Sequence, residues 1–369
     1  MSHTKILIVS DGFYPENSPR SHRATELARE FSRQGHLVKV ITRNRGFDYS
    51  RLSVEWKLDI EQLASLRWPT LQSSRIRHLR TLKRIINRLL LILFEYPGIE
   101  IMFRVRNALR KEDGYDLLIT SAVPHPVHWG TAWIRKDGHR IAQTWIADCG
   151  DPFMGCSTDT FKKLFYFSFI EKWWSRKADF ITIPIENAKN AYYPDFHDKI
   201  KVIPQGFRFA EIKKVDKPMH NPVSTFAYAG SFIQNIRDPR TFLNYLITIS
   251  GQFKFVVYTM QNELLIPYKE ILKEKLEIRD YIPREELLKE LEKMDFLINF
   301  DNNTSVQQPS KLIDYVLVNR PILNIKKNLN IHQIESFLNG DYTSKLEIDN
   351  LEQYNIINVA KQFLKLMNE

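Results

Sequence analysis

The stretch Lys5-Ile6-Leu7-Ile8-Val9-Ser10, followed by the loop Asp11 to Ser18, the segment Pro19 to Gly35 with Glu26-Leu27-Ala28-Arg29-Glu30-Phe31 inside it, and Leu37-Val38-Lys39-Val40-Ile41-Thr42, reads as strand, loop, helix and strand. Ile6 to Ser10 is a short apolar run, Pro19 suits the first helical position, and Gly35 suits a helix C-cap. A strand–helix–strand unit of this length takes a right-handed crossover and therefore builds a parallel sheet. The chain is α/β from its first forty residues.

The same alternation recurs downstream. Strands are expected at Asp116 to Thr120, Ile141 to Ala147, Phe180 to Pro184 and Lys201 to Pro204, with a helix over Asn187 to Tyr192. Gly206 to Thr225 is polar, basic and aperiodic, and we place a domain boundary there: residues 1–205 form one domain and 206–345 a second. The second has strands at Thr225 to Ala229, Phe253 to Thr259, Tyr281-Ile282, Phe296 to Phe300 and Pro321 to Ile325. Helices are expected near Pro239 to Ile249, after Pro267, over Arg284 to Met294 and from Pro309. The remainder, 346–369, reads as a C-terminal helix over Leu351 to Leu366 packing back on the first domain. A length of 369 residues also favours two domains.

Composition narrows the function classes. Hydrophobic residues at 43% and charged residues at 26% describe a globular protein. Cys149 and Cys156 form neither a disulfide framework nor a zinc-spaced set, which points to a reducing cytoplasm. The N-terminus lacks the regions of a signal peptide, and the longest apolar run, Leu89 to Phe94, is too short to span a bilayer.

The net charge of +10 is concentrated: eleven basic residues face only Glu95 and Glu100 between Arg67 and Lys111. Within that region, 67–111, Leu79, Leu82, Ile86, Leu89, Leu90 and Leu93 fall on one helical face and Arg77, Arg80, Lys83, Arg84 and Arg88 on the other. A basic amphipathic helix suits an anionic membrane surface; a core-packing helix with a solvated basic face has the same pattern. Nucleic acid is not expected, because the charge forms no reader module and carries no interleaved aromatic residues.

Ligands of open parallel sheets sit beyond the carboxyl ends of strands. The loops there are Asp11 to Pro15, Ser121 to His125, Asp148 to Pro152, Gly230 to Pro239 and the helix start Pro309-Ser310-Lys311. Dinucleotide, P-loop, hydrolase-elbow and zinc-protease motifs are absent. The helix from Pro309 offers free N–H groups, the Lys311 charge and the Asp314 carboxylate to a nucleoside diphosphate; an ordinary serine-capped helix begins the same way.

Taken in order, KILIVSDGFYPEN (5–17) with Arg20, TELAREF (25–31) and Gly35-His36, then TSAVPHPVH (120–128), ADCGDPF (147–153), YAGSF (228–232) with RDPR (237–240), and PSKLIDYVLVNRPIL (309–323) resemble the GT-B glycosyltransferases of family 4, the type that builds bacterial capsule, exopolysaccharide and lipopolysaccharide. The resemblance implies two Rossmann-like domains with parallel sheets facing across a central cleft. It implies a retaining glycosyltransferase of the hexosyl or N-acetylhexosaminyl class, with a nucleotide-diphosphate sugar as donor, a glycan or lipid-linked acceptor, no cofactor and no bound metal.

By position, it implies catalytic roles for Asp151, His125, Arg237 and Lys311, and donor contacts at Gly12, Gly230, Ser231, Ser310 and Asp314. Asp148, Glu16, Asn17 and Arg20 fall on the acceptor side. Asp314 matches the second acid of the E-x7-E motif, whereas Val306 stands where the first acid belongs, leaving the backbone of Gln307 and Gln308 to substitute. Turn and capping roles are the alternative for Asp148 and Asp151; Arg23, which with Glu16, Asn17 and Arg20 sits where this family meets acceptor or donor phosphate, serves equally as solvated surface. A nucleotide-sugar epimerase, a phosphorylase, or a donor-binding protein without turnover would share the architecture. The expected location is cytoplasmic, peripheral at the inner membrane face.

Overall fold

The computed structural model describes residues 3–69, 77–135, 141–156, 162–209, 221–301, 311–347 and 350–369, with backbone alone at 77–79, 311 and 313. The chain divides into two units, Met1–Phe207 with Gln353–Glu369, and Arg208–Glu352.

The first unit runs β1 (Lys5–Ser10), α1 (Pro19–Arg33), β2 (Leu37–Arg43), α2 (Ser50–Trp56), β3 (Asp59–Leu63), α3 (Arg77–Phe94), α4 (Glu100–Leu109), β4 (Tyr115–Ala122), α5 (Pro126–Ile134), β5 (Ala142–Cys149), α6 (Phe167–Lys177), β6 (Phe180–Ile183) and β7 (Ile200–Val202). Its sheet order is β3-β2-β1-β4-β5-β6-β7, every pairing parallel. β1 is buried from Ile6 onward, as an unbroken aliphatic run between two helical layers should be. Ser18 caps α1 by accepting from the Ser21 N–H at 3.2 Å, ahead of Pro19.

The second unit holds β8 (Ser224–Ala229), α7 (Arg240–Thr248), β9 (Phe253–Tyr258), α8 (Ile266–Leu272), β10 (Leu276–Arg279), α9 (Arg284–Leu291), β11 (Phe296–Phe300), α10 (Lys311–Leu317), β12 (Ile322–Ile325) and α11 (Ile331–Leu338). Its sheet order is β10-β9-β8-β11-β12, again parallel. In both sheets the strand order reverses beside the first strand of the unit, at β1/β4 and β8/β11, which makes the carboxyl ends there the natural ligand sites.

α12 (Ile356–Lys365) belongs to the first unit. Its Ile356, Val359, Ala360 and Phe363 share a core with Ala24, Leu27, Ala28 and Phe31 of α1. Gly206 makes room for this return: a Cβ there would lie 2.4 Å from the Ile356 side chain.

Several elements differ from expectation. The strand expected at Tyr281-Ile282 is β10, five residues earlier, an edge strand with only Leu276 buried. Asn187 to Tyr192 is a 3-10 helix over Glu186–Ala191. The terminal helix breaks at Asn355, whose side chain accepts from the Ile357 N–H and caps α12. The basic region holds two helices, α3 and α4, separated at Glu95 to Ile99 around Pro97. No position of α3 from Arg80 to Phe94 is buried. Leu82, Ile85, Leu89 and Phe94 are each at least half exposed, so the apolar face is not covered by the first unit's core. No helix among the described residues is long and apolar enough to cross a membrane.

Candidate active site

At the carboxyl edge of the first sheet, β1 ends in Ser10, whose hydroxyl donates to the Gly12 carbonyl at 2.8 Å. Gly12 has little spare space, since a Cβ would meet the Ser21 nitrogen at 3.3 Å. Asp11 beside it is nearly buried, and Arg45, from the loop after β2, bridges Asp11 at 3.0 Å and Glu16 at 2.8 Å. Burial raises the Asp11 carboxyl above its ordinary value against the pull of Arg43 and Arg45. Asn17 Oδ1 accepts from His22 Nε2 at 2.9 Å.

Arg20 lies directly over Gly150: a Cβ at that position would fall 1.4 Å from its guanidinium carbon. Only glycine admits this approach, which brings Arg20 within 3.9 Å of Asp151. Asp151 stays 40% exposed, while Asp148 is taken inward. Arg23 donates to both Asp148 oxygens at 2.6 and 2.7 Å and to the carbonyls of Pro204 and Ile203 at 2.7 and 3.0 Å, and Thr182 donates to Asp148 at 2.8 Å. Burial alone would raise the Asp148 pKa, but Arg23 outweighs it and the net shift is downward. Arg23 is thus a buried clamp, not solvated surface, and Asp148 is closed to contact with a ligand in this arrangement.

His125 is also buried; its Nε2 donates to the Asp151 carbonyl at 3.2 Å. Burial, then the neighbouring His128, pushes its pKa well below the ordinary histidine value, so the ring is neutral.

In the second unit, Gly230 follows β8 at φ +142°, its N–H donating to the Tyr258 carbonyl at 2.9 Å. Ser231 is exposed. Arg237 closes a turn with Ile233, donating and accepting backbone hydrogen bonds of 2.8 and 3.2 Å, and its guanidinium contacts the Tyr228 hydroxyl. Asp238 accepts from the N–H groups of Asn235 and Arg240, both at 3.1 Å, and from the Arg240 side chain; these bonds, Arg240's first, hold its carboxyl down to about 2.

α10 is tied to the end of β8 by Tyr315, whose hydroxyl accepts from the Ala229 N–H at 2.8 Å. Asp314, one residue before, takes Arg284 Nε at 3.0 Å and its terminal nitrogen at 2.6 Å on Oδ1. Ser310 and Val306 lie outside the described residues, as does the side chain of Lys311, which opens α10. A cavity of about 370 Å³ adjoins Arg279, Asp280, Ile282 and Glu286, between the ends of β9 and β10 and the face of α9. Arg45 and Arg284 are not singled out by the sequence. Their ion pairs join residues 29 to 34 apart, with no local spacing to announce them.

No protein family and no curated protein matches the sequence. Solved structures do match over the whole chain. A glycosyltransferase from Rickettsia africae ESF-5 superimposes with a TM-score of 0.64 at 10% identity, covering 100% of this chain and 98% of that one. The lipopolysaccharide outer core galactosyltransferase WaaB in its apo form gives 0.59 at 12% identity, covering 99% of both. Anabaena Alr3699/HepE in complex with UDP-glucose gives 0.59 at 10% identity, covering 99% and 100%.

The fold is GT-B. In GT-B terms the first unit is the N-terminal Rossmann-like domain, completed by α12, and Arg208–Glu352 is the C-terminal one. At these identities the likeness concerns the fold.

Proposed function

We propose that the protein is a retaining, metal-independent glycosyltransferase that moves a hexosyl or N-acetylhexosaminyl group from a nucleotide-diphosphate sugar to a hydroxyl of a glycan or lipid-linked acceptor in surface polysaccharide synthesis. The observation that carries this reading is the constellation at the β8/β11 switch point of a full-length GT-B fold: the Gly230 loop, Arg237, and α10 with Lys311 and Asp314, pinned to β8 by Tyr315. WaaB is named as a galactosyltransferase and HepE holds UDP-glucose, which supports the donor class.

In this reading Arg237 and Lys311 stabilise the negative charge that develops on the β-phosphate as the nucleoside diphosphate departs, with Ser310, outside the described residues, as a further donor contact. Asp314, held at one oxygen by Arg284, keeps acceptor capacity for ribose hydroxyls. Gly12 lets the chain approach the donor closely. Asp151, Arg20, Glu16 and Asn17 orient the acceptor, with His125 fixing the Asp151 backbone and Asp148 holding α1 through Arg23.

The uncovered apolar stripe of α3, flanked by Arg80, Lys83, Arg84 and Arg88, supports action at the anionic inner face of the cytoplasmic membrane on a lipid-linked acceptor. The test is a thermal-shift and turnover screen with nucleoside diphosphates, nucleotide-sugars and glycolipid acceptors. A ligand at 100 times its dissociation constant raises stability by about 2.7 kcal/mol. Absence of both nucleoside diphosphate binding and nucleoside diphosphate release across the panel would rule the proposal out.

A further inference from the structure

Behind the Asp151 loop lies a buried polar cluster whose donor atoms take no part in glycosyl transfer, apart from the hydrogen bond of His125 Nε2 to the Asp151 carbonyl. One nitrogen of His125, one of His128 and the Cys149 sulfur all lie within 4.8 Å of one another, and all three residues are buried. The protonation of His125 is set by its neighbour. The Asp151 carbonyl only accepts, so His125 Nε2 carries the proton, and Nδ1 is left as a buried lone pair with no hydrogen-bond partner. Trp145 Nε1 donates to Thr120 Oγ1 at 2.8 Å, and the same hydroxyl meets His128 Nδ1 at 2.8 Å. With the Nδ1 proton directed to Thr120, His128 Nε2 presents a lone pair toward Cys149 Sγ, 3.3 Å away. Outer partners of this kind orient metal-bound histidines.

A buried carboxyl group lies beside the cluster. Glu171 of α6 is 1% exposed, the backbone N–H groups of Met154 and Phe153 act on its carboxyl, and it interacts with both Cys149 and Tyr192. A buried carboxylate without a cation is costly. Among the described residues no Lys or Arg is paired with it.

We propose that His125, His128 and Cys149 supply three donors of a buried site for a thiophilic d10 cation of the Zn2+ class, with Glu171 balancing its charge. On binding, the Cys149 thiol releases its proton to solvent and the thiolate sulfur takes up the metal bond. The dication, thiolate and carboxylate then sum to zero. Zn–N and Zn–S bonds of about 2.0–2.3 Å set tetrahedral donors roughly 3.5 Å apart, so side-chain adjustments of about 1 Å close the set. Two imidazoles and a thiolate select zinc-like ions over magnesium or calcium. The site would lock α5 to β5 beneath the loop that carries Asp151, and it is independent of the glycosyl-transfer reading.

The test uses tag-free full-length protein equilibrated with Zn2+, desalted and analysed for metal per chain, alongside Co2+ substitution followed by absorption spectroscopy. The expected result is about one Zn2+ per chain and a thiolate-to-Co2+ charge-transfer band. Cys149→Ser should abolish the band, and His125→Ala should lower the stoichiometry several-fold with the circular dichroism unchanged. If Cys149→Ser does not fold, His125→Ala and the wild-type spectrum decide. Wild-type protein that retains no Zn2+ and shows no thiolate band overturns the proposal. So does wild-type stoichiometry persisting in folded His125→Ala.

Discussion

Arg23 and Asp148 are separated by 125 residues yet form a buried, doubly hydrogen-bonded ion pair, each about 2% exposed or less. Removing one member leaves the other charged and buried, so Arg23→Ala should cost about 3–5 kcal/mol in urea unfolding. Arg23→Lys should recover little, because an ammonium cannot reproduce the fork that reaches both Asp148 oxygens and two carbonyls. In the sequence Arg23 is one of many helical arginines, and no local pattern separates a clamp from a solvated side chain. Gly150 is similar: the glycine was plain, but that it seats Arg20 is visible only in three dimensions.

Asp238 offers a pH prediction at the same scale. Its folded-state pKa is held at about 2 against an ordinary 3.8, chiefly by Arg240. A depressed carboxyl stabilises the fold above its unfolded-state value, and that contribution disappears as pH falls through the folded one. Stability attributable to Asp238 should therefore be complete above pH 4 and lost toward pH 2. The wild-type minus Asp238→Asn difference in urea midpoint should shrink over that window; a difference flat from pH 6 to pH 2 would contradict the assignment.

Among elements, strands were the most legible, because a parallel strand buried on both faces is written as a mainly apolar run, as in β1 and β11. The edges were not. β3, with Asp59 and Glu61, and β10, with Glu277 and Arg279, are half-polar edge strands that no run of hydrophobic residues marks. α3 was legible as amphipathic, but its pattern could not say what meets the apolar face; the structure leaves Leu82, Ile85 and Leu89 exposed. Four cations near an anionic surface contribute roughly 1 kcal/mol each. Neutralising Arg80, Lys83, Arg84 and Arg88 should weaken sedimentation with anionic liposomes about a hundred- to a thousandfold at low salt. Partition unchanged by that substitution, or by 0.5 M salt, would remove the membrane assignment.

At the scale of the whole molecule, the α/β alternation and the order of motifs made the GT-B fold readable, since each strand and helix carries its own period. The site was less readable. Its ion pairs, Arg284 with Asp314 and Arg45 with Asp11 and Glu16, exist only once separate loops are gathered at a sheet edge. The two units have separate hydrophobic cores, the first built partly by α12 and the second around Phe226, Phe242, Phe255 and Phe296. That separation permits a test of where the donor is held. Phe363→Ala opens a cavity in the first core alone and should cost about 3–5 kcal/mol, lowering the calorimetric transition of the first unit. A nucleoside diphosphate held by Arg237, Lys311 and Asp314 should raise the other transition, and Asp314→Ala should reduce that rise while leaving the Phe363→Ala effect intact. The two substitutions lie in different units and should be additive within about 0.5 kcal/mol. If the nucleotide instead raises only the transition that Phe363→Ala lowers, the diphosphate sits on the first unit and the roles assigned to α10 are wrong.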